Sequence, residues 1–189
     1  MSRIGKKAVK IPSAVKVELK DRMLKLSSGS DSLSLDIHST VTLAHDAQAN
    51  EITVSRTGET RLAKAMHGTT RAHIANMVLG LTKGFEKGIK IYGTGYGVKQ
   101  EGTNLVLAVG YAKPVTVAIP QGITVEIKTP NTRGNDTPAE FKVKGADKCM
   151  VGQMAAVLRH AKPPEPYRGK GIRYADEVVK RKAGKAFAS

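Results

Sequence analysis

Residues 162–174 bring cations, aromatic rings and backbone breakers together in one short stretch, KPPEPYRGKGIRY. Three prolines and two glycines exclude a packed helix or a central strand, because proline lacks an amide donor and glycine is entropically costly to fix. We call these residues the proline–glycine segment and predict an extended, partly stiffened loop that presents four cations beside two tyrosines. Cations suit phosphates and aromatic faces suit bases, which favours nucleic acid, RNA above all. The alternative is a solvated loop in front of a basic tail.

The charge of the chain points to a polyanionic partner. Its 189 residues include 31 Lys and Arg against 16 Asp and Glu, a formal net charge of +15. Residues 162–189 hold eight of these cations and three of the acids, so +5 of the charge lies in a short carboxyl-terminal stretch. A surplus of this size repels itself and usually persists because an anionic partner neutralises it.

Nucleic acid is favoured over a membrane surface as that partner. No run of residues reaches the apolar length that spans a bilayer, and the tail from Ala175 has no strong apolar stripe for lying on one. No apolar signal core or long presequence precedes the structured-looking sequence, so we expect a complete cytoplasmic chain. Cys149 is the only cysteine, which excludes an intramolecular disulfide and a multi-cysteine metal cage.

Basic residues at both ends of the chain extend the candidate surface. The tail is too polar to fold alone, and its position beside the proline–glycine segment favours an end that a ligand orders. An amino-terminal arm either binds RNA or frays. The cations of these two ends are Lys180, Arg181, Lys182 and Lys185 in the tail and Arg3, Lys6 and Lys7 in the arm.

Other cations and one histidine receive different interpretations. His160 lies one turn before the proline–glycine segment, where it could approach phosphate. Lysines that alternate with apolar residues on predicted strands are expected to face solvent. These are Lys16, Lys20, Lys25, Lys142 and Lys144.

Three features that could carry catalysis or ligand chemistry have simpler interpretations. The glycine cluster at residues 92–97 precedes predicted strand rather than the helix that a nucleotide cradle needs, which favours a flexible or bulged strand over a close approach to RNA. The five histidines lack metal-ligand spacing, and His73 lies on the apolar face of a predicted helix, as a core histidine does. Cys149 begins a helix without an identifiable histidine partner. We therefore predict no enzymatic activity, no metal, no cofactor and no small-molecule substrate.

Hydrophobic periodicity predicts the elements of the first half. Short alternating stretches bounded by Ser, Gly, Asp or Asn predict five strands, at residues 15–19, 23–26, 33–37, 41–43 and 52–54. A helix is predicted over residues 59–83, because apolar residues recur there every three to four positions and Gly84 supplies a stop.

The second half repeats that order. Strands are predicted at residues 105–109, 115–119, 123–125 and 141–143, and a helix over 147–161 that two prolines end. The first of these strands corresponds to residues 24–26, 81 positions earlier. Residues 82–90 are interpreted as the join between the halves.

The repeated order predicts an α+β fold of two tandem duplicated small domains, each a mainly antiparallel sheet with one helix packed on one face. The expected boundaries are 1–82 for the amino-terminal domain with its basic arm, 83–175 for the carboxyl-terminal domain and 176–189 for the basic tail. A single larger sheet domain is the alternative, since strand order cannot be read from one sequence.

Four stretches of the chain, in order, closely resemble the bacterial-type large-subunit ribosomal protein six family. They are the opening SRIGKK with IP at residues 11–12, RAHIANMV at residues 71–78, GTGY at residues 93–96, and the proline–glycine segment. The resemblance spans nearly the whole chain, and the last of these motifs is specific.

The resemblance implies two duplicated domains that bind large-subunit rRNA near the sarcin–ricin loop, close to the stalk base where GTPase translation factors dock. It implies neighbouring ribosomal proteins at the stalk base, no membrane partner, and a cytoplasmic location in the large ribosomal subunit. The carboxyl-terminal domain and tail are expected to make the main rRNA contacts.

On that basis an RNA-contacting role is assigned within the proline–glycine segment to Lys162, Tyr167, Arg168, Lys170, Arg173 and Tyr174. The full predicted set adds Arg159, His160, Lys180, Arg181, Lys182, Arg3, Lys6 and Lys7. Two rival functions remain: a general nucleic-acid-binding module outside the ribosome, and an enzyme that uses Cys149 or the glycine cluster.

Overall fold

The computed structural model describes residues 5–133 and 137–184, and the chain divides into two α+β units. Among these residues the first unit comprises those up to Gly84 together with Ala146–Lys148, and the second comprises Phe85–Gly145 and residues 149–184. In each unit antiparallel strands form two sheets, and one long helix follows the sixth strand. The predicted fold class is confirmed.

The first unit places one helix against short antiparallel strands. Thr60 caps this helix by accepting a hydrogen bond on its side-chain oxygen from the amide of Ala63, at 3.1 Å. Gly84 ends the helix with a φ of 72°, and its amide donates to the carbonyl of Gly80. Ile74 on the helix is fully buried against a core of aliphatic side chains. The elements are β1 (Val9–Lys10), β2 (Lys16–Lys20), β3 (Met23–Ser28), β4 (Asp31–Asp36), β5 (Val41–Asp46), β6 (Glu51–Arg56) and α1 (Arg61–Lys83).

The second unit carries most of the candidate RNA-binding residues. Its core includes Phe141 and Leu158, which are 1% and 0% exposed. The elements are β7 (Phe85–Tyr92), β8 (Gly97–Glu101), β9 (Asn104–Ala108), β10 (Val115–Ala118), β11 (Ile123–Thr129), β12 (Ala139–Gly145), α2 (Lys148–Ala161) and β13 (Gly171–Tyr174). The two sheets have the strand orders β10-β9-β8 and β11-β12-β7-β13.

The two units repeat one topology. Sheet β2-β3-β4 corresponds to β8-β9-β10, and sheet β1-β6-β5 corresponds to β7-β12-β11. In both units the helix directly follows the strand that lies between the other two in the second of these sheets, β6 in the first unit and β12 in the second. β13 is an addition of the second unit, where it pairs with β7 at the sheet edge. The repeated order predicted from the sequence therefore extends to strand pairing.

Two sequence interpretations are wrong in detail. Residues 82–90 are not only a join, because most of them belong to β7, an interior strand that pairs with both β12 and β13. His73 is exposed, whereas His67, two turns earlier, is the buried histidine of α1, at 6% exposure. The Nε2 atom of His67 lies 2.9 Å from the carbonyl oxygen of Val54. Three residues of the predicted apolar face, Met66, Met77 and Leu81, pack against the core, but the most buried positions lie one residue farther on, at His67, Ile74 and Val78.

Candidate nucleic-acid interface

The proline–glycine segment is a folded structure rather than a loop throughout. Its last four residues, Gly171–Tyr174, form β13, which pairs antiparallel with β7. Ile172 is fully buried in the core of the second unit, and its amide donates to the carbonyl of Lys162 at 2.8 Å. The loop prediction is wrong for these four residues. The exclusion of a central strand holds, because β13 lies at the sheet edge.

A compact turn forms the first part of the same segment. The amide of Glu165 donates to the carbonyl of Lys170 at 2.9 Å, and the amide of Gly169 donates back to Glu165 at 3.1 Å. This turn exposes Arg168 and the ring of Tyr167, which is 53% exposed. Because the two backbone hydrogen bonds close the turn, the exposed side chains start from a fixed backbone.

Gly171 lies directly against the backbone of Pro163 and Pro164. Its φ is 136°, and a Cβ at this position would lie 2.6 Å from the carbonyl oxygen of Pro163. We expect Gly171→Ala to destabilise the second unit by about 1–3 kcal/mol, the usual cost of a strained backbone conformation. Urea unfolding followed by circular dichroism measures this loss. Gly152→Ala is the control, since nothing lies within 4 Å of that Cβ on α2, and an equal response of the two variants would contradict the prediction.

Lys162 and Arg173 of the predicted set lie close over aromatic rings of the same unit. The guanidinium carbon of Arg173 is 3.6 Å from the ring centroid of Tyr92 on β7. The ammonium of Lys162 is 4.2 Å from the ring centroid of Tyr111, whose hydroxyl donates to the carbonyl of Ala161. Rings hold these cations in place without neutralising their charge, so both still contribute to the positive field.

Arg159 is held by a carboxylate as well as by a ring. Its Nε and Nη2 atoms donate to the two carboxylate oxygens of Glu177, at 2.8 and 2.6 Å. Hydrogen bonding from Arg159 lowers the pKa of Glu177, and the same contact raises the pKa of Arg159. The ring of Tyr174 lies beneath Lys87 and Arg159 and packs on the hydrophobic core. Arg159 and Tyr174 therefore have intramolecular partners as well as their predicted RNA role.

The tail folds back onto the turn. The amide of Lys182 donates to the carbonyl of Pro166 at 2.8 Å. The guanidinium of Arg181 packs on Gly169, where a Cβ would lie 3.1 Å from its Nε atom. Arg181 and Lys182 are thus brought beside Arg168, and all three are exposed. We call the set Tyr167, Arg168, Lys170, Arg181 and Lys182 the basic surface.

Two further residues of the predicted set lie close to these five along the chain. His160, at the end of α2, and Lys180, in the tail, are both exposed. Lys185 lies outside the described residues.

The amino-terminal arm, within the first unit, is docked on α1 at residues 5–7. The Nε atom of Arg71 donates to the carbonyl of Lys7 at 3.1 Å. Gly5 packs so closely on the buried ring of His67 that a Cβ there would lie 2.5 Å from it. Both Lys6 and Lys7 are exposed, which favours a positioned arm over a frayed one. Arg3 lies outside the described residues.

Comparison with known proteins identifies the family. The model of the family described as Ribosomal protein L6 matches residues 11–84 and matches again over residues 92–175. The chain belongs to the ribosomal protein L6 family. It is 46% identical to the large ribosomal subunit protein uL6 of Dictyoglomus thermophilum and 44% identical to that of Crocosphaera subtropica. Each alignment covers 186 residues, 98% of both chains.

Family membership gives the broad function. Ribosomal L6 proteins are structural, non-enzymatic constituents of the large ribosomal subunit, which decides against the enzyme alternative. The double match of one family model also agrees with the repeated topology of the two units.

The glycine cluster of this L6 chain has a structural role. The glycine cluster ends β7 and leads through a turn into β8, so strand rather than helix follows it, as predicted. The Thr132 hydroxyl donates to the carbonyl of Gly93 at 2.5 Å and fixes that turn. Within residues 5–133 and 137–184, no group of His, Cys, Asp and Glu could hold a metal ion. In the same ranges no helix is both long and apolar enough to cross a membrane.

Of the five strand lysines predicted to face solvent, three are exposed and two are half-buried. Lys16, Lys20 and Lys25 are exposed. Lys142 and Lys144 on β12 form cross-strand ion pairs with Glu86 and Glu126, at 2.8 and 2.5 Å. These two lysines lower the pKa of both glutamates through their hydrogen bonds. The sheet lysines of β12 are therefore poorer candidates for phosphate binding than the cations of the basic surface.

Proposed function

We propose that this L6-family protein binds large-subunit rRNA near the sarcin–ricin loop and the stalk base, with the basic surface as its main contact. The observation that supports this most directly is the fold-back of the tail onto the turn. The hydrogen bond between Lys182 and Pro166 brings two tail cations beside Arg168 and Tyr167. A cationic group next to an exposed ring is suited to a phosphate backbone and an unstacked base.

The mechanism of binding is electrostatic neutralisation on a pre-formed backbone. Arg168, Arg181 and Lys182 are exposed and face the polyanion without large rearrangement. Lys162 and Arg173, held over tyrosine rings, add further positive charge to the same unit. Since the positions of these cations are fixed by the fold, recognition depends on RNA shape rather than on reading base edges.

Further contacts and neighbours form part of the same proposal. Lys6 and Lys7 of the docked arm, with Arg3, supply a second rRNA contact from the first unit. The sarcin–ricin location places GTPase translation factors and other ribosomal proteins of the stalk base nearby. These assignments are supported by the family motifs in the sequence and by the exposure of Lys6 and Lys7.

The test compares three nucleic acids of equal length: an rRNA fragment containing the sarcin–ricin region, an unrelated structured RNA, and duplex DNA. Fluorescence anisotropy of the full chain across a KCl series gives affinity and salt slope. We expect at least about tenfold tighter binding to the rRNA fragment, a difference of about 1.4 kcal/mol. Equal affinity for all three would instead favour a general nucleic-acid-binding module.

A further inference from the structure

We infer that Glu177 is a positioning residue for rRNA binding, so that removing its negative charge weakens the complex with a polyanion instead of strengthening it. The inference rests on the proposed rRNA-binding function of the basic surface. Glu177 carries a carboxylate, and on charge alone a carboxylate is unfavourable for binding RNA.

The contacts of Glu177 join three parts of the second unit. Its carboxylate accepts the two hydrogen bonds from Arg159 in the last turn of α2, and it also accepts the backbone amide of Tyr174 at 3.2 Å. The two side chains of the ion pair are 33% and 21% exposed. A two-pronged contact between guanidinium and carboxylate fixes orientation as well as distance. We call this arrangement the Glu177 latch.

The latch sits where the chain leaves β13 and becomes the tail. Residues 178–184 have no helix or strand, and Val178 is 90% exposed. The direction in which these residues leave the sheet therefore depends on contacts at the start of the tail. Farther along, the hydrogen bond of Lys182 to Pro166 returns the tail to the turn. Without the latch, Arg181 and Lys182 must be ordered when RNA binds, and that ordering lowers affinity.

Charge and position predict opposite signs for the same substitution. The Debye length is about 10 Å at 0.1 M salt, so a carboxylate this close to several cations repels phosphate. If Glu177 acted through charge alone, neutralising it would tighten binding. If Glu177 acts by holding the tail, neutralising this residue loosens the tail and frees Arg159. Binding to RNA then weakens.

The neighbouring residue supplies a matched control. Asp176 carries the same charge and pairs with Lys87 at 3.0 Å, but its side chain is 74% exposed. Hydrogen bonding from Lys87 lowers the pKa of Asp176, so it is charged under the same conditions as Glu177. Exposed ion pairs of this kind contribute little to the stability of the folded chain. Glu177→Gln and Asp176→Asn thus make the same change in charge at adjacent positions, but only Glu177→Gln disrupts the latch.

The experiment measures binding of both full-length variants to the sarcin–ricin fragment across a KCl series. We expect Glu177→Gln to weaken binding about five- to tenfold and to flatten the salt slope, because fewer tail cations engage phosphate. Asp176→Asn should stay within about twofold of the unsubstituted protein or bind more tightly. Glu177→Asp keeps the charge but shortens the side chain, and we expect it to weaken binding as well.

Each outcome has one meaning. Binding by Glu177→Gln as tight as, or tighter than, that of Asp176→Asn overturns the latch, as does unchanged binding by Glu177→Asp. Adding Glu177→Gln to an Arg159→Gln background should cause no further loss, and an undiminished loss there also contradicts the inference. If the unsubstituted protein does not prefer the rRNA fragment, the proposed function fails. If it does, but the Glu177 variants bind normally, the latch alone is wrong.

Discussion

Replacing Arg168 and Lys170 together by glutamate is expected to weaken binding to the sarcin–ricin fragment by about 10²–10⁴-fold. Each residue would lose a charge-assisted hydrogen bond to phosphate, and such bonds contribute about 1.5–3 kcal/mol, where each 1.4 kcal/mol is roughly a factor of ten. Arg168 is exposed at the tip of the turn, and Lys170 is half-buried at its base. Neither side chain belongs to the hydrophobic core of the second unit, so the fold should survive.

Lys16→Glu with Lys25→Glu is the matched control for this pair. Both lysines are exposed on strands of the first unit, and the change in net charge is identical. We expect the control to lose only the affinity that any loss of positive charge causes, whereas the Arg168 and Lys170 pair should also reduce the salt slope by about two. Equal losses in both double variants would show that net charge, rather than the basic surface, determines binding.

The helices and most strands could be predicted because their signals are local. α1 has a Thr cap, a regular apolar spacing and a glycine stop within its own sequence. β7 was missed because it follows that stop directly and contains Gly88, which has the appearance of a breaker. Gly88 is in fact required by packing: a Cβ there would lie 2.9 Å from the Cβ of Ala175, whose amide donates to the Gly88 carbonyl. This constraint comes from residues far apart in sequence.

The candidate site was predictable in composition but not in arrangement. Charge density and the motif around Arg168 were sufficient to propose RNA. The partners of Arg159 and Arg173, however, lie far along the chain, at Glu177 and Tyr92. No spacing rule joins residues so distant. The same holds for β13, since Ile172 is a single apolar residue among glycines, prolines and cations, and its burial depends on β7 beside it.

Ile172→Ala is expected to destabilise the second unit by about 2–5 kcal/mol, the usual cost of truncating a buried isoleucine. Ile172 is 0% exposed and pairs with Ile91, also 0% exposed, across the edge of the sheet. Losing this anchor loosens β13, and with it the turn and the latch. Because the chain contains no tryptophan, unfolding in urea is best followed by circular dichroism.

Graded substitutions distinguish the packing contribution of Ile172 from a general effect of removing apolar atoms. Ile172→Val should cost only about 0.5–1.5 kcal/mol, and Val178→Ala should cost almost nothing, because Val178 is 90% exposed. Unchanged stability of Ile172→Ala would mean that β13 contributes no packing energy. The graded series is also more informative than cutting the chain before Lys162, since that deletion would remove the buried isoleucine together with the cations. RNA affinity that falls in parallel with stability across the series would tie the basic surface to the core beneath it.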